Sequence, residues 1–307
     1  MPVLHDDGLK ATTKSADRDA GTVLALALFP ITLFAFTPVA IRILVGEFDP
    51  LMAGLARTAG AIVVTLPLAL ALRFRLPRDR QGWILLVLNA ALTFTAFPVL
   101  FALGAEHTSA SHAALIMAAT PIVTGISAAV VERHAPRHAW WLGSALAFAG
   151  EAALILARGT GAATSGRLMG DLLILAAVFG AGTGYVAGAR LGGRIGVWPA
   201  TFWAINLAGL VQLPFIALRW PHAHWHSLDA AGWAALLHLT FGVTVIALVS
   251  WLWALERGGI ARVAVLQFAQ PVIAVGLAAV LLHEPITPAL LLAATPIVAG
   301  VVIARRR

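Results

Sequence analysis

The sequence predicts an all-α polytopic membrane protein, with ten transmembrane helices arranged as two inverted five-helix repeats. Three observations support this fold class: 60% of the 307 residues are hydrophobic and 11% are charged, the apolar residues form about ten long stretches, and the second half aligns with the first. An ordinary soluble domain has about 25% charged residues, so this composition excludes a soluble enzyme of this length. A disordered chain is also excluded, because such chains are poor in apolar residues.

The apolar stretches have the length that a membrane-spanning helix needs. A bilayer core about 30 Å thick is crossed by roughly 20 mostly apolar residues in a helix. Lipid requires every backbone polar group to be paired within the protein, and the stretches lack the alternating polar positions of barrel strands, so we predict helices. The predicted spans are 20–45, 50–72, 81–104, 108–131, 138–157, 170–190, 196–218, 229–255, 260–282 and 287–304.

The distribution of lysine and arginine predicts the orientation. Residues 1–19 mix both charge signs without an apolar core, and are predicted to be a short cytoplasmic tail rather than a signal peptide. Cytoplasmic loops carry an excess of basic residues. With the N-terminus inside, the inner segments hold 16 lysines and arginines and the outer loops hold 3. The chain is therefore predicted to be a multi-pass inner-membrane protein with both termini cytoplasmic; without a continuous basic face, no nucleic-acid partner is expected.

The chain contains an internal repeat. Two pairs of identical residues align at an offset of 150: Glu106 with Glu256, and Pro121 with Pro271. The predicted repeats span residues 20–158 and 170–307. Because each contains five spans, an odd number, the two halves are predicted to lie in the membrane with opposite orientation. Secondary transporters use such inverted repeats to enclose a site near the bilayer midplane.

Three segments carry a resemblance to a known family. They read FDPLMAGLARTAG from Phe48, FALGAEHTSASHAALIMAATPIV from Phe101, and LERGGIARVAVLQFAQPVIAVGLAAVLLHEPIT from Leu255. In these segments the chain resembles the drug/metabolite transporter superfamily, in its ten-helix branch with EamA-type repeats. The resemblance implies a transporter rather than an enzyme, without a cofactor, that exports or exchanges a small metabolite, such as an amino acid, or a drug by alternating access. It also implies that spans three, four, eight and nine enclose a central cavity.

Polar residues within these spans are candidates for lining a substrate cavity. Uncharged polar groups at membrane depth can recognise a polar solute when their hydrogen bonds are completed in the bound state. The alternative interpretation is hydrogen bonding between helices, which contributes about 0.6 kcal/mol per bond on average. The candidate cavity residues are Asn89, His112, His238, Gln267 and Gln270.

Two ionisable residues and two prolines complete the candidate set. Arg57 and Glu151 lie within predicted spans, where a charge is costly, and are candidates for an anion contact and for proton coupling. For Arg57, the alternative is a snorkelling or carbonyl-capping role; for Glu151, it is a neutral hydrogen-bonded carboxyl. Pro121 and Pro271 each remove a helical hydrogen bond, and are predicted to kink spans four and nine.

Two functional alternatives remain at this stage. The first is a carrier whose partners are a small-molecule substrate and the lipid bilayer, acting as a monomer or a homodimer. The second is an intramembrane enzyme or lipid-processing protein that uses Arg57 and Glu151. No metal site is expected: the sequence has no cysteine, and His222, His224 and His226 form a single loop cluster.

Overall fold

The structure is a computed structural model, and it describes residues 26–107, 113, 116–157, 167–270, 272–273 and 288–304. Within these ranges the chain forms ten main helices, two single-turn 3₁₀ helices (Trp220–His222 and Trp225–Ser227) and no strand, and the predicted fold class is confirmed. The helices are α1 Leu26–Gly46, α2 Pro50–Ala71, α3 Arg80–His107, α4 Thr120–Glu132, α5 His138–Ala157, α6 Arg167–Ile195, α7 Val197–Arg219, α8 Ala230–Gly258, α9 Ile260–Ala269 and α10 Pro288–Ala304. Helices α1–α3 and α6–α8 are long and apolar enough to cross a membrane. The exact bounds of the tail and of the repeats stay predictions.

Short polar or glycine turns separate the long helices. The Asp49 carboxylate caps α2 by accepting a hydrogen bond from the Met52 amide at 2.8 Å, and Asp229 caps α8 through the Gly232 amide at 2.8 Å. Such caps satisfy amides that have no partner at a helix start. Gly196 and Gly259 have φ angles of 94° and 84°, a backbone conformation that favours glycine, and they reverse the chain after α6 and α8.

Each helix packs on a helix of the other half. The contacts pair α2 with α7, α4 with α9 and α5 with α10, which are the corresponding helices of the two repeats. The other two pairs are α3 with α6 and α8 with α1. Because α3 corresponds to α8 and α6 to α1 in the repeat, these two pairs are equivalent to each other. This pairing is the packing expected of two inverted copies related by a pseudo-two-fold axis.

Glycines allow the close approach of α5 and α10. A Cβ atom added at Gly143 would lie 2.4 Å from the Gly300 carbonyl oxygen, and one added at Gly300 would lie 2.5 Å from the Gly143 carbonyl oxygen. Because the obstructing atoms belong to the backbone, no rotamer change could make room. Small residues at such crossings are the usual basis of helix association in membranes.

The glycines that recur every four residues in α6 serve the same purpose. Gly184 faces Thr93 of α3, and Gly188 faces Asn89 of α3, with an added Cβ at 2.2 Å and 2.9 Å from those side chains. These glycines therefore allow α6 to pack closely on α3.

Helices α3 and α8 each contain a π-helical segment at matching positions. The segments are Leu92–Ala96 in α3 and His238–Ala247 in α8. Adding the repeat offset of 150 to the first segment gives 242–246, which lies inside the second. A π-helical turn widens the helix and frequently marks a functional site.

The structure refines one of the two predicted proline kinks. Helical geometry is interrupted at Ala118 and Ala119, so α4 begins at Thr120 with Pro121 in its first turn. The proline therefore starts a new helix rather than bending an existing one, because the first turn does not require its missing N–H. Pro271 lies outside the described residues; just before it, Val265–Ala269 tightens into a 3₁₀ helix.

Candidate functional site

Two threonines hold the π-helical segments and accept hydrogen bonds from the opposite half. The Thr95 hydroxyl donates to the Ala90 carbonyl at 3.2 Å, and the Thr244 hydroxyl donates to the Leu239 carbonyl at 2.8 Å, each five residues back. The Gln212 amide of α7 donates to Thr95 at 3.0 Å, whereas the Arg57 Nε of α2 donates to Thr244 at 3.2 Å. The second helix of each half thus holds the third helix of the other.

Prolines free two carbonyl groups that receive further hydrogen bonds between helices. Because proline has no N–H, Pro98 leaves the Phe94 carbonyl without its regular helical donor. That oxygen accepts from the Thr58 hydroxyl at 2.8 Å and the Gln212 amide at 3.0 Å. Buried backbone oxygens left without partners are costly, so these two side chains stabilise α3 at the point where Pro98 interrupts its hydrogen bonding.

The same arrangement occurs in α1, where a turn at Phe36 precedes Pro38. Pro38 removes the helical donor to the Phe34 carbonyl, and the Gln270 amide donates to that oxygen at 3.1 Å. His238 Nε2 lies 3.2 Å from the neighbouring Leu33 carbonyl oxygen. His238 and Gln270, two of the predicted cavity residues, therefore contact α1 at the turn before Pro38. Such contacts agree with the alternative interpretation, in which these residues form hydrogen bonds between helices.

Arg57 is the one charged residue among the described residues that is fully buried, with 1% of its surface exposed. Its Nε is bonded to Thr244, and its guanidinium carbon lies 5.8 Å from the centre of the Phe97 ring. Its Nη1 has no hydrogen-bond partner in the described part of the chain, and no described carboxylate pairs with it. The alternative that Arg57 snorkels to the membrane surface is wrong, because α2 carries it into the centre of the bundle.

A group of packed aromatic rings includes Tyr185, which lies near Arg57. Trp251 of α8 is fully buried, with its ring 6.2 Å from that of Phe34 and 6.4 Å from that of Tyr185, both in edge-to-face contact. Tyr185 lies near the Gln267 amide and near the Arg57 guanidinium. Tyr185 therefore connects the aromatic rings to the polar groups of α2 and α9.

Several buried polar atoms on α2, α3, α8 and α9 have no partner within the described residues. They are Arg57 Nη1, Trp251 Nε1, Gln267 Oε1 and both side-chain polar atoms of Asn89. Buried polar groups in folded proteins are normally hydrogen-bonded, so a local group of unpaired ones indicates a place where a ligand completes the hydrogen bonds. We call Arg57, Asn89, Tyr185, Trp251 and Gln267 the central cluster.

The structure divides the predicted site residues. Asn89 and Gln267 belong to the central cluster, with Asn89 packed on Gly188, one helical turn from Tyr185. His238 and Gln270 are bonded to α1, and His112 lies outside the described residues. The assignment of all these residues to a substrate cavity stays a prediction.

The two ionisable candidates lie on helices with different neighbours. Arg57 contacts α3 and α8, whereas α5, which carries Glu151, packs on α10. The side chain of Glu151 lies outside the described part of the structure.

Sequence reasoning missed Tyr185 and Thr244. Tyr185 is the only tyrosine of the chain and lies inside a predicted span, which was a usable signal. Thr244 lies one residue before the position that the repeat offset of 150 assigns to Thr95, and both look like ordinary small residues until the π-helical segments are visible.

Ion pairs link the two halves at both ends of the bundle. Asp49 at the start of α2 binds Arg219 of α7 at 2.6 Å, on the face predicted to be external. Asp79, just before α3, binds Arg194 of α6 at 2.5 Å, on the face predicted to be cytoplasmic. Surface pairs such as the second contribute about 0.2–1 kcal/mol. The central cluster therefore lies between two points at which the halves are joined.

Comparison with known proteins gives a consistent result. The sequence pattern of the EamA-like transporter family matches residues 21–156 and 168–306, once in each half. The chain is 31% identical over 276 residues to the uncharacterized transporter YdeK of Bacillus subtilis, covering 90% of this chain and 94% of that protein. It is 24% identical over 292 residues to an uncharacterized transporter of Synechocystis, covering 91% and 87%.

A solved crystal structure has the same fold. It superposes with a TM-score of 0.71 at 23% identity, and covers 92% of this chain and 96% of the solved one. Together with the apolar helices, these matches identify a multi-pass membrane protein. This chain belongs to the EamA-like transporter family.

Proposed function

We propose that this protein is a secondary carrier, without enzymatic activity, that exports or exchanges a small metabolite or drug by alternating access. The observation that carries the proposal is the central cluster. Its unpaired polar atoms are buried between the two halves, and Arg57 of one half is bonded to Thr244 of the other. A solute bound there would contact both halves, and so could favour one relative arrangement over another.

The proposed cycle uses the ends of the bundle as alternating barriers. Opening toward the predicted cytoplasmic face would separate Asp79 from Arg194, and opening toward the other face would separate Asp49 from Arg219. The driving force would be an exchanged solute or a proton, with Glu151 the first residue to test for the proton. The protein would act in the inner membrane as a monomer or a homodimer, with a small solute and lipid as its partners.

Counterflow in proteoliposomes tests the proposal. Vesicles loaded with a high concentration of unlabelled solute should transiently accumulate the labelled solute, unchanged as judged by chromatography. Vesicles without protein provide the control. Chemical conversion of the solute would favour the enzyme, and uptake that does not saturate would favour a channel; either result would contradict the proposal.

The inverted arrangement makes a separate prediction about topology. Reporter tags inserted after Arg80 and after Arg219 should report opposite faces of the membrane, because the three spans of the first half and two of the second that lie between them make five crossings, an odd number. The cytoplasmic reporter should be active after Arg80, given the basic residues around it. Activity of one reporter at both positions would contradict both the orientation and the inverted repeat.

A further inference from the structure

The central cluster contains a positive charge that the described protein groups do not neutralise. Arg57 is 1% exposed, and its bonded neighbours in the described residues are the Thr244 hydroxyl and the face of Phe97, both uncharged. A buried charge is costly unless it is paired with an opposite charge and hydrogen-bonded. The unpaired Nη1 gives the guanidinium a free donor toward an anion.

The other unpaired atoms supply a suitable second set of contacts. Trp251 Nε1 is a hydrogen-bond donor, the Asn89 amide offers both a donor and an acceptor, and Gln267 Oε1 is an acceptor. The rings of Phe34, Tyr185 and Trp251 provide an apolar wall beside them. This combination suits a small molecule with one anionic end, a polar substituent and an apolar body.

The charge balance limits the anion to a monoanion. The described residues supply one buried cation at this place, so a phosphate dianion would bring an excess negative charge into the membrane interior. An amphiphilic cation would be repelled by the guanidinium. A carboxylate matches the planar fork of arginine and carries a single charge.

We infer that the transported solute carries a carboxylate, and that Arg57 binds it. This inference rests on the proposed function, since it names the class of substrate for the same site. The carboxylate would accept hydrogen bonds from Arg57 Nη1 and from the Trp251 indole, and a polar substituent such as an amino group would donate to Gln267 Oε1. The apolar body would lie against the three aromatic rings.

Matched pairs of ligands test the inference without a variant. The purified protein in nanodiscs is titrated with two pairs of a carboxylate and its amide: 3-phenylpropanoate with 3-phenylpropanamide, and 4-methylpentanoate with 4-methylpentanamide. It is also titrated with leucine and phenylalanine, each compared with its methyl ester, which keeps the amino group. Thermal shift and intrinsic tryptophan fluorescence report binding. Each carboxylate should bind at least about tenfold more tightly than its neutral or esterified partner, the difference expected of one charge-assisted contact. Equal or stronger binding of the uncharged partners, or no binding of any carboxylate, would overturn the inference.

A charge-removing variant then tests the residue. Arg57→Gln should bring the affinities for a carboxylate and its amide to within about threefold, whereas the control Gly46→Ala, whose added Cβ has no atom within 4 Å, should preserve the preference. An unchanged preference in Arg57→Gln would reject Arg57 as the contact. If Arg57→Gln does not fold, Arg57→Lys replaces it. Lysine keeps the positive charge but lacks the planar guanidinium, so the preference for a carboxylate over its amide should be smaller but not reversed.

Counterflow separates failure of this inference from failure of the proposed function. Saturable counterflow of neutral or cationic solutes, with no effect of carboxylates, would leave a carrier and reject the carboxylate class. Selective binding of carboxylates without counterflow of any of them would retain the site and reject the carrier.

Discussion

Replacement of Gly143 by alanine is expected to lower the thermal stability of the protein by several degrees. The added Cβ would lie 2.3 Å from the Ala304 backbone nitrogen and 2.4 Å from the Gly300 carbonyl oxygen. Since these atoms belong to α10 itself, α5 and α10 would have to move apart along their crossing. Overpacking of this kind costs about 1–3 kcal/mol of folding free energy. Thermal unfolding in detergent, followed by fluorescence-detected size-exclusion chromatography, measures the change.

A matched substitution elsewhere should have the opposite or no effect. Gly46 of α1 has no atom within 4 Å of its added Cβ, so Gly46→Ala carries no steric cost. Alanine is the better helix former by about 1 kcal/mol. Gly46→Ala should therefore unfold at the same temperature as the wild type, or a higher one. Equal destabilisation by both substitutions would mean that loss of glycine flexibility, rather than the α5–α10 contact, determines the result.

The number of helices could be predicted from the sequence because apolar spans depend on local composition. The repeat could be predicted because identical residues recur at one offset. An apolar stretch of about 20 residues identifies a span wherever it packs. The four-residue spacing of Gly180, Gly184 and Gly188 similarly predicts a close helix contact, since these residues share one face. The spacing does not predict which helix packs on this face; in the structure it is α3.

The site could be predicted only in part, because its polar groups are distinguished by distant partners. Gln267 lies in the last turn of α9 and Gln270 directly follows that helix, and the two side chains have the same chemistry. One has an unpaired oxygen in the central cluster, and the other is bonded to the Phe34 carbonyl of α1, more than 200 residues away in the chain. Similarly, Arg57 looks like a residue near a helix end until the fold places Thr244 beside it.

Gln267 and Gln270 should therefore respond differently to the same substitution. Gln270→Leu leaves the Phe34 carbonyl oxygen without a donor at the break before Pro38, and loss of a partner by a buried polar group costs about 1–3 kcal/mol. Gln267→Leu removes an oxygen that already has no partner in the described residues, together with the amide near Tyr185, so it should lower stability less than Gln270→Leu does. For transport, Gln267→Leu should raise KM by about tenfold, as loss of one contact with solute predicts. Thermal unfolding and counterflow kinetics on both variants measure these effects; equal loss of stability would contradict the division between the two residues.

A rescue experiment tests the cause assigned to the Gln270 effect. Pro38→Ala restores the backbone N–H that a regular helix directs to the Phe34 carbonyl. The double variant with Pro38→Ala and Gln270→Leu should therefore recover most of the stability lost by Gln270→Leu alone, because the same oxygen regains a donor from its own helix. In the wild-type background Pro38→Ala should have a smaller effect, since Gln270 already binds that oxygen. Additive effects of the two substitutions would show that they do not act on one carbonyl group, and that Gln270 stabilises the bundle through some other contact.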